Sequence, residues 1–206
     1  MTASAVDLLF YTGAMVVLFL TPGPVWVALT ARALTGGFVQ AWPLAVGVAL
    51  GDIIWPLGAI FGLSWIIMLH DGTLDVLRWV AVATFVVMGA VLIRNAARPV
   101  STDSRLARPG MASGFVAGIV VILANPKAIL FYMGMLPGFF DLGRITGVDI
   151  VAIVMISALV PLLGNLAFAG MIGRVRALLQ SPAALTRTNR VAGGLMIAVG
   201  GLIAMG

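Results

Sequence analysis

The chain has 206 residues, of which 62% are hydrophobic and 9% are charged, and its mean hydropathy is +1.15. One soluble core cannot bury this much apolar surface, so the composition predicts an all-α integral membrane protein. The net charge of +5 comes from arginines in short gaps between apolar runs. Arginines in such gaps are typical of residues that orient a protein in the membrane, and this placement argues against nucleic-acid binding.

Apolar runs of about 17 to 25 residues are long enough to cross a bilayer as helices. Six such runs follow one another: residues 6–31, 38–62, 75–94, 111–138, 148–173 and 190–206. They predict a single transmembrane domain over residues 1–206. The last run is short and has weak ends, so five spans are the alternative. The first run is too long for a signal peptide, and its head carries Asp7 with no Lys or Arg.

The gaps between the runs differ in positive charge. The odd gaps hold most of the arginines: Arg32, Arg94, Arg98, Arg105, Arg108, Arg174, Arg176, Arg187 and Arg190. The even gaps contain only Arg78 and Arg144. By the positive-inside rule, the odd gaps are predicted to be cytoplasmic, including an Arg-rich loop at about 95–110, and both termini are predicted to lie outside.

The first run is interrupted by TPGP, residues 21–24, near the predicted depth of the bilayer centre. Thr21 is a good N-cap and Pro22 a good first helical residue, and Asn125 and Pro126 repeat that pattern in the fourth run. Each interruption is therefore predicted to begin a new half-helix. Their N-terminal ends would face one central cavity that suits a carboxylate. A packing kink tolerated by neighbouring helices is the alternative interpretation.

The two interruptions lie about half a chain apart, which suggests an internal repeat. The second run then carries Gly51 and Asp52, and the fifth carries Gly164 and Asn165. Because each half contains an odd number of spans, the halves would be inverted across the membrane. The sequence therefore predicts two inverted three-helix repeats, about 1–98 and 109–206, with proline-broken helices 1 and 4.

Two charged residues share the depth of these interruptions. Asp52 and Lys127 both lie about 21 to 24 Å from the cytoplasmic face at 1.5 Å per residue. Each would cost on the order of 2.5 to 3.5 kcal/mol in an isolated span, so neither is expected to face lipid. Lys127 would add a cation to the carboxylate site, and Asp52 would hold an ammonium group or carry a coupling proton. A structural ion pair is the alternative.

Other polar and small residues have simpler interpretations. Asn165 is expected to form an interhelical hydrogen bond more often than to bind a ligand. Close helix contacts are predicted at Gly47, Gly51, Gly114, Gly118, Gly193 and Gly194. Cysteine and glutamate are absent, and no nucleophile triad or metal-ligand set is visible. No cofactor, metal site or enzymatic activity is therefore predicted.

Four motifs in this order resemble the lysine exporter (LysE/RhtB) family of bacterial amino-acid efflux permeases. They are TPGP, ARALTGGFVQAWPLAVGVALGD, GFVAGIVVILANPKAILFYMGMLPGFF and NRVAGGLMIAVGGLI, and they extend over nearly the whole chain. The resemblance implies an exporter of amino acids or close derivatives in the cytoplasmic membrane. The positions that match the family pattern are Pro22, Gly23, Pro24, Gly51, Asp52, Asn125, Pro126 and Lys127.

Two departures from the family pattern bear on the substrate. Pro137, Gly138 and Phe139 stand where the family usually has Pro-Gln-Phe, and Thr84 and Val87 stand where tyrosines are usual. If those aromatic residues line the substrate path in relatives, the substrate of this chain differs from theirs.

We therefore expect a secondary-active exporter that works by alternating access and is driven by a proton or sodium gradient. The expected substrate-binding residues are Thr21, Pro22, Gly23, Pro24, Asp52, Asn125, Pro126, Lys127 and Asn165. Asp52 is also the expected coupling residue. The expected partners are an amino acid and the lipid bilayer, with no nucleic acid, and both a monomer and a homodimer stay open. An ion or metal-cation permease is the alternative function, and a membrane enzyme ranks third.

Overall fold

The computed structural model describes residues 2–69, 73–97, 110–171 and 181–205, and all regular structure in these ranges is helical. The helices are α1 (Ala5–Leu20), α2 (Pro24–Leu69), α3 (Thr73–Arg94), α4 (Met111–Leu123), α5 (Pro126–Phe139), α6 (Gly147–Gly170) and α7 (Pro182–Met205). Most of the predicted Arg-rich loop, residues 98–109, lies outside the described residues, as do Arg174 and Arg176.

The described helices include two that are long and apolar enough to cross a membrane, the segment Pro24–Gly62 of α2 and the whole of α6. The helices α4 and α5 form a third candidate span, which is bent by 55° at its break. By contrast, α1 is a shorter apolar helix of 16 residues that ends at the TPGP interruption. The all-helical membrane class is therefore as predicted, whereas the arrangement of six spans stays a prediction.

A bend inside α2 separates the first two predicted runs. Gly36 and Gly37 have non-helical dihedral angles, and φ of Gly37 is 65°. Positive φ is accessible to glycine at little cost because it has no Cβ. The two parts of α2 are therefore joined by a kink instead of a long loop.

The last helix begins earlier than predicted. It starts at Pro182 instead of residue 190, and Ser181 accepts a hydrogen bond from the backbone N–H of Ala184 at 3.3 Å. Its first turns carry Arg187 and Arg190. Hydropathy does not identify these polar turns as part of the helix, whereas the cap and the proline do.

Glycines allow the helices to approach closely. The predicted contacts are confirmed at Gly47, Gly51, Gly114, Gly118 and Gly193. Where α2 crosses α4, a Cβ added to Gly47 or Gly118 would overlap the backbone of the opposite helix. The prediction is wrong for Gly194, because no atom lies within 4 Å of its added Cβ.

The helix contacts have a repeated arrangement around the two breaks. The helix α1 packs against α6, and α4 packs against α2. Gly164 of α6 lies against Phe19 in the last turn of α1, and Gly51 of α2 lies against Ile122 in the last turn of α4. Gly164 directly precedes Asn165, and Gly51 directly precedes Asp52. These correspondences are compatible with the predicted inverted repeats, which stay a prediction.

Candidate functional site

The break between α1 and α2 differs from the prediction at its cap. Thr21 is the C-cap of α1, and its hydroxyl donates to the Val17 carbonyl at 2.7 Å. The next helix begins at Pro24. The assignments of Thr21 as an N-cap and Pro22 as a first helical residue are therefore wrong. A threonine hydroxyl bonds equally well to a carbonyl four residues earlier, and that local alternative is adopted here.

The break between α4 and α5 has the predicted cap. The side chain of Asn125 accepts a hydrogen bond from the backbone N–H of Lys127 at 3.1 Å. Pro126 follows at the start of α5, where its missing N–H costs no helical hydrogen bond. The N-cap prediction is therefore confirmed for Asn125, and this break presents a helix N-terminus to the middle of the bundle.

The ammonium group of Lys127 joins the second break to the first. Its Nζ donates to the carbonyl oxygens of Leu18 at 2.9 Å and Thr21 at 2.6 Å. Carbonyls at the end of a helix lack intrahelical partners, and the negative end of the helix dipole favours a cation there. The sequence did not predict this contact. Since an ammonium group has three donors, one remains for another acceptor.

The carboxyl group of Asp52 is buried on α2 and is 2% exposed. One of its oxygens accepts a hydrogen bond from the hydroxyl of Tyr132 at 3.2 Å. Neither charge bonds to the other among the described residues, so the ion pair between Asp52 and Lys127 is not formed here. The same described residues contain no group of three His, Cys, Asp or Glu side chains that could hold a metal ion.

A cavity of about 40 Å³ lies between the two breaks. Its lining includes five of the predicted site residues: Gly23, Asp52, Asn125, Lys127 and Asn165. The remaining described lining is mostly apolar. This volume has room for about three water molecules. An amino acid does not fit into this volume, so the cavity would have to widen to hold one.

Four predicted site residues are not among the described lining residues of this cavity: Thr21, Pro22, Pro24 and Pro126. Thr21 contributes through its backbone, because its carbonyl accepts from Lys127. Pro24 and Pro126 begin the helices that follow the breaks. Thr21, Pro22 and Pro24 therefore shape the first break instead of lining the space between the breaks, whereas the side chain of Pro126 lies outside the described part of the structure.

Asn165 lines the cavity with an unpaired acceptor. It lies on α6, it is 2% exposed, and its side-chain oxygen has no hydrogen-bond partner. The amide oxygen therefore lacks the interhelical hydrogen bond that was expected. Leaving a buried acceptor unpaired costs about 1 to 3 kcal/mol. A donor that enters the cavity would remove this cost.

At one end of the bundle, two segments are bonded together by Arg32, which the sequence indicated only as a topology determinant. Its side chain is buried and donates to the carbonyl of Gln40 at 2.7 Å and to that of Gly110 at 2.5 Å. Gln40 also accepts from the backbone N–H of Gly110 at 3.0 Å. Gly114 makes room for the guanidinium group. We call Arg32, Gln40 and Gly110 the arginine latch; it ties the bend of α2 to the start of α4.

At the opposite end, two segments are bonded together by Asp149 at the start of α6. Its buried carboxylate accepts hydrogen bonds from the backbone N–H groups of Thr2 at 3.0 Å, Ala3 at 3.2 Å and Thr146 at 2.9 Å. We call these four residues the aspartate latch. It ties the segment before α1 to α6, and the sequence did not single it out, because a first-turn aspartate is common in any helix.

An aromatic layer lies between the central cavity and the aspartate latch. The buried ring of Tyr11 packs edge to face on Phe139 and Phe140, with centroid distances of 5.8 and 5.3 Å. The hydroxyl of Tyr11 is hydrogen-bonded to Ser157 at 2.7 Å. Phe139 and Phe140 also line a separate pocket of about 290 Å³ near the latch. The aromatic layer therefore borders this pocket, and none of its three rings is among the described lining residues of the central cavity.

The chain is similar to known membrane proteins over most of its length. A sequence model of the LysE type translocator family matches residues 16–206. An uncharacterized membrane protein of Synechocystis sp. is 31% identical over 194 residues, which cover 94% of this chain and 93% of the relative. The putative amino acid efflux protein YcgF of Bacillus subtilis is 28% identical over 116 residues, covering 55% of this chain and 54% of the relative. The chemotactic transduction protein ChpE of Pseudomonas aeruginosa is 28% identical over 112 residues, covering 54% of each. No solved structure matches.

Proposed function

The chain belongs to the LysE type translocator family, and on that premise we propose that it exports amino acids or close derivatives from the cytoplasm by secondary-active transport. One observation carries the proposal: two helix breaks, a buried carboxylate and a half-buried ammonium group meet at one small cavity. The printed name of the Bacillus subtilis relative, an efflux protein, also supports it. Family membership favours transport over catalysis.

Both charged groups of an amino acid have matching partners at this cavity. The substrate carboxylate binds at the start of α5, where the helix dipole is positive, and accepts the remaining donor of Lys127. The substrate ammonium group donates to the second oxygen of Asp52 and to the unpaired oxygen of Asn165. The cavity must widen before these contacts form, because its present volume of about 40 Å³ is too small.

In this proposal, the two latches open and close access to the site. In the proposed cycle, the arginine latch opens the cavity to the cytoplasm while the aspartate latch is closed, and the reverse arrangement releases the substrate outside. The bundle would consist of about six spans in two inverted repeats, in the bacterial cytoplasmic membrane, with both termini outside. Rocking of one repeat against the other then alternates access to the site.

Asp52 also couples transport to an ion gradient in this proposal. A proton or a sodium ion on its carboxylate competes with the substrate ammonium group for the same oxygens. Binding of the ion from outside would therefore favour substrate release, and loss of the ion to the cytoplasm would prepare the site for the next substrate. The exchange requires a single titratable carboxylate at the cavity, and Asp52 is the one acid among the described lining residues.

The test is efflux from cells preloaded with a panel of amino acids, with or without an imposed pH or sodium gradient. We expect the wild type and the matched control Asp141→Asn, at an exposed loop position, to accelerate efflux of one or a few amino acids. Asp52→Asn is expected to lose the dependence on the gradient. If export in Asp52→Asn still follows the gradient, Asp52 is not the coupling residue. Metal-cation flux without amino-acid flux would favour the ion permease.

A further inference from the structure

We infer that the substrates are neutral amino acids with apolar side chains and that lysine and arginine are excluded. This inference rests on the proposed function, since it concerns the same site. The described lining of the cavity contains one carboxylate, Asp52, and one ammonium group, Lys127. A zwitterion brings one charge of each sign, so the loaded site contains equal numbers of positive and negative groups. A basic side chain would bring a further positive charge with no partner.

Among the described residues, no second acid lies where it could neutralise such a side chain. Glutamate is absent from the whole chain. The other described aspartates lie outside the helices or in the first turns of one: Asp7, Asp75, Asp141 and Asp149. Asp52 is therefore the one acid placed well inside a described helix. A basic substrate side chain would find no second carboxylate within this part of the bundle.

Acidic side chains meet the corresponding difficulty. Lys127 is the only lysine in the sequence, and two of its three donors already bind carbonyl oxygens. Its remaining donor is needed by the substrate α-carboxylate. Arg32 is bonded within the arginine latch at the end of the bundle. A second carboxylate on the substrate would therefore have no cation beside it.

The apolar part of the lining provides the surface for the substrate side chain. Trp26, Val48, Ile122 and Pro161 all line the cavity, and the ring of Trp26 packs on Phe168 with a centroid distance of 4.3 Å. Each additional buried methylene group raises the affinity of a substrate by a factor of about four. Leucine, valine and phenylalanine are therefore expected to bind better than glycine or alanine.

The first experiment compares efflux of leucine, valine and phenylalanine with efflux of lysine and arginine from preloaded cells. We expect the neutral amino acids to leave at least tenfold faster than the basic ones, relative to cells without the protein. Lysine or arginine efflux at the rate of leucine would overturn the inference while leaving the exporter proposal intact. Absence of efflux for every amino acid would overturn both.

The second experiment adds the missing carboxylate by Asn165→Asp, an isosteric change at the cavity. With a second negative charge in the cavity to balance the second positive charge of the substrate, lysine efflux is expected to rise at least tenfold and leucine efflux to fall. Asn165→Leu is the matched control, which removes the same amide without adding charge and is expected to gain no lysine efflux. An Asn165→Asp protein at the wild-type level in the membrane with an unchanged preference contradicts the inference.

Discussion

Replacing Lys127 by methionine separates the structural role of its ammonium group from its role in transport. The ammonium donates to the carbonyls of Leu18 and Thr21 at 2.9 and 2.6 Å. Losing two hydrogen bonds that involve a charged donor costs about 3 to 6 kcal/mol in total. Removing the charge from the middle of the membrane stabilises the folded protein by about 2.5 to 3.5 kcal/mol. The free energy of unfolding is therefore expected to fall by about 0 to 3.5 kcal/mol.

Transport is expected to suffer more than stability. The substrate carboxylate loses its only cation, a charge-assisted hydrogen bond of about 1.5 to 3 kcal/mol, which corresponds to a factor of about 10 to 150 in binding. The assays are thermal unfolding of the purified protein in detergent and amino-acid efflux from preloaded cells. Lys127→Gln is the matched control, because glutamine retains N–H donors for the two carbonyls but carries no charge.

We expect Lys127→Met to reach the membrane with a modestly lowered melting temperature and to lose export. Lys127→Gln is expected to recover most of the stability but not the export. Export at the wild-type rate by Lys127→Met would refute the role of this residue in binding the carboxylate. If Lys127→Met fails to fold while Lys127→Gln folds, losing the two hydrogen bonds costs far more than removing the charge gains. The expected small change in the free energy of unfolding is then wrong.

Two further predictions concern helix packing and the latches. Gly118→Ala is expected to destabilise the protein by about 1 to 3 kcal/mol in thermal unfolding, since its methyl group would overlap the backbone of α2. Gly13→Ala, which meets no atom within 4 Å, is the control, and equal melting temperatures for the two variants would argue against a close crossing. In this cysteine-free chain, Val25→Cys places one thiol at the cavity for an impermeant maleimide. Arg32→Gln is expected to increase its labelling from the cytoplasmic side alone, and Asp149→Asn from the outside alone; labelling from the same side in both contradicts the two-latch arrangement.

The sequence by itself determined the membrane class and the positions of the helix breaks, because both depend on local chemistry. Hydropathy reports what each segment can bury, and proline removes a backbone donor wherever it stands. The cap at Asn125 was predicted correctly because its side chain bonds to an N–H only two residues away. The same reasoning failed at Thr21, where two local hydrogen bonds compete and the sequence does not rank them.

The tertiary structure alone decided how the parts of the site meet. Lys127 bonds to carbonyls 106 and 109 residues away in the chain, and Tyr132 reaches Asp52 across 80 residues. Such contacts depend on the close crossing of α2 and α4 at Gly47 and Gly118, which sets the distance between helices. Side-chain spacing along one helix carries no information about that distance. The sequence therefore identified the charged and amide residues of the cavity, whereas their pairing followed only from the packing of the bundle.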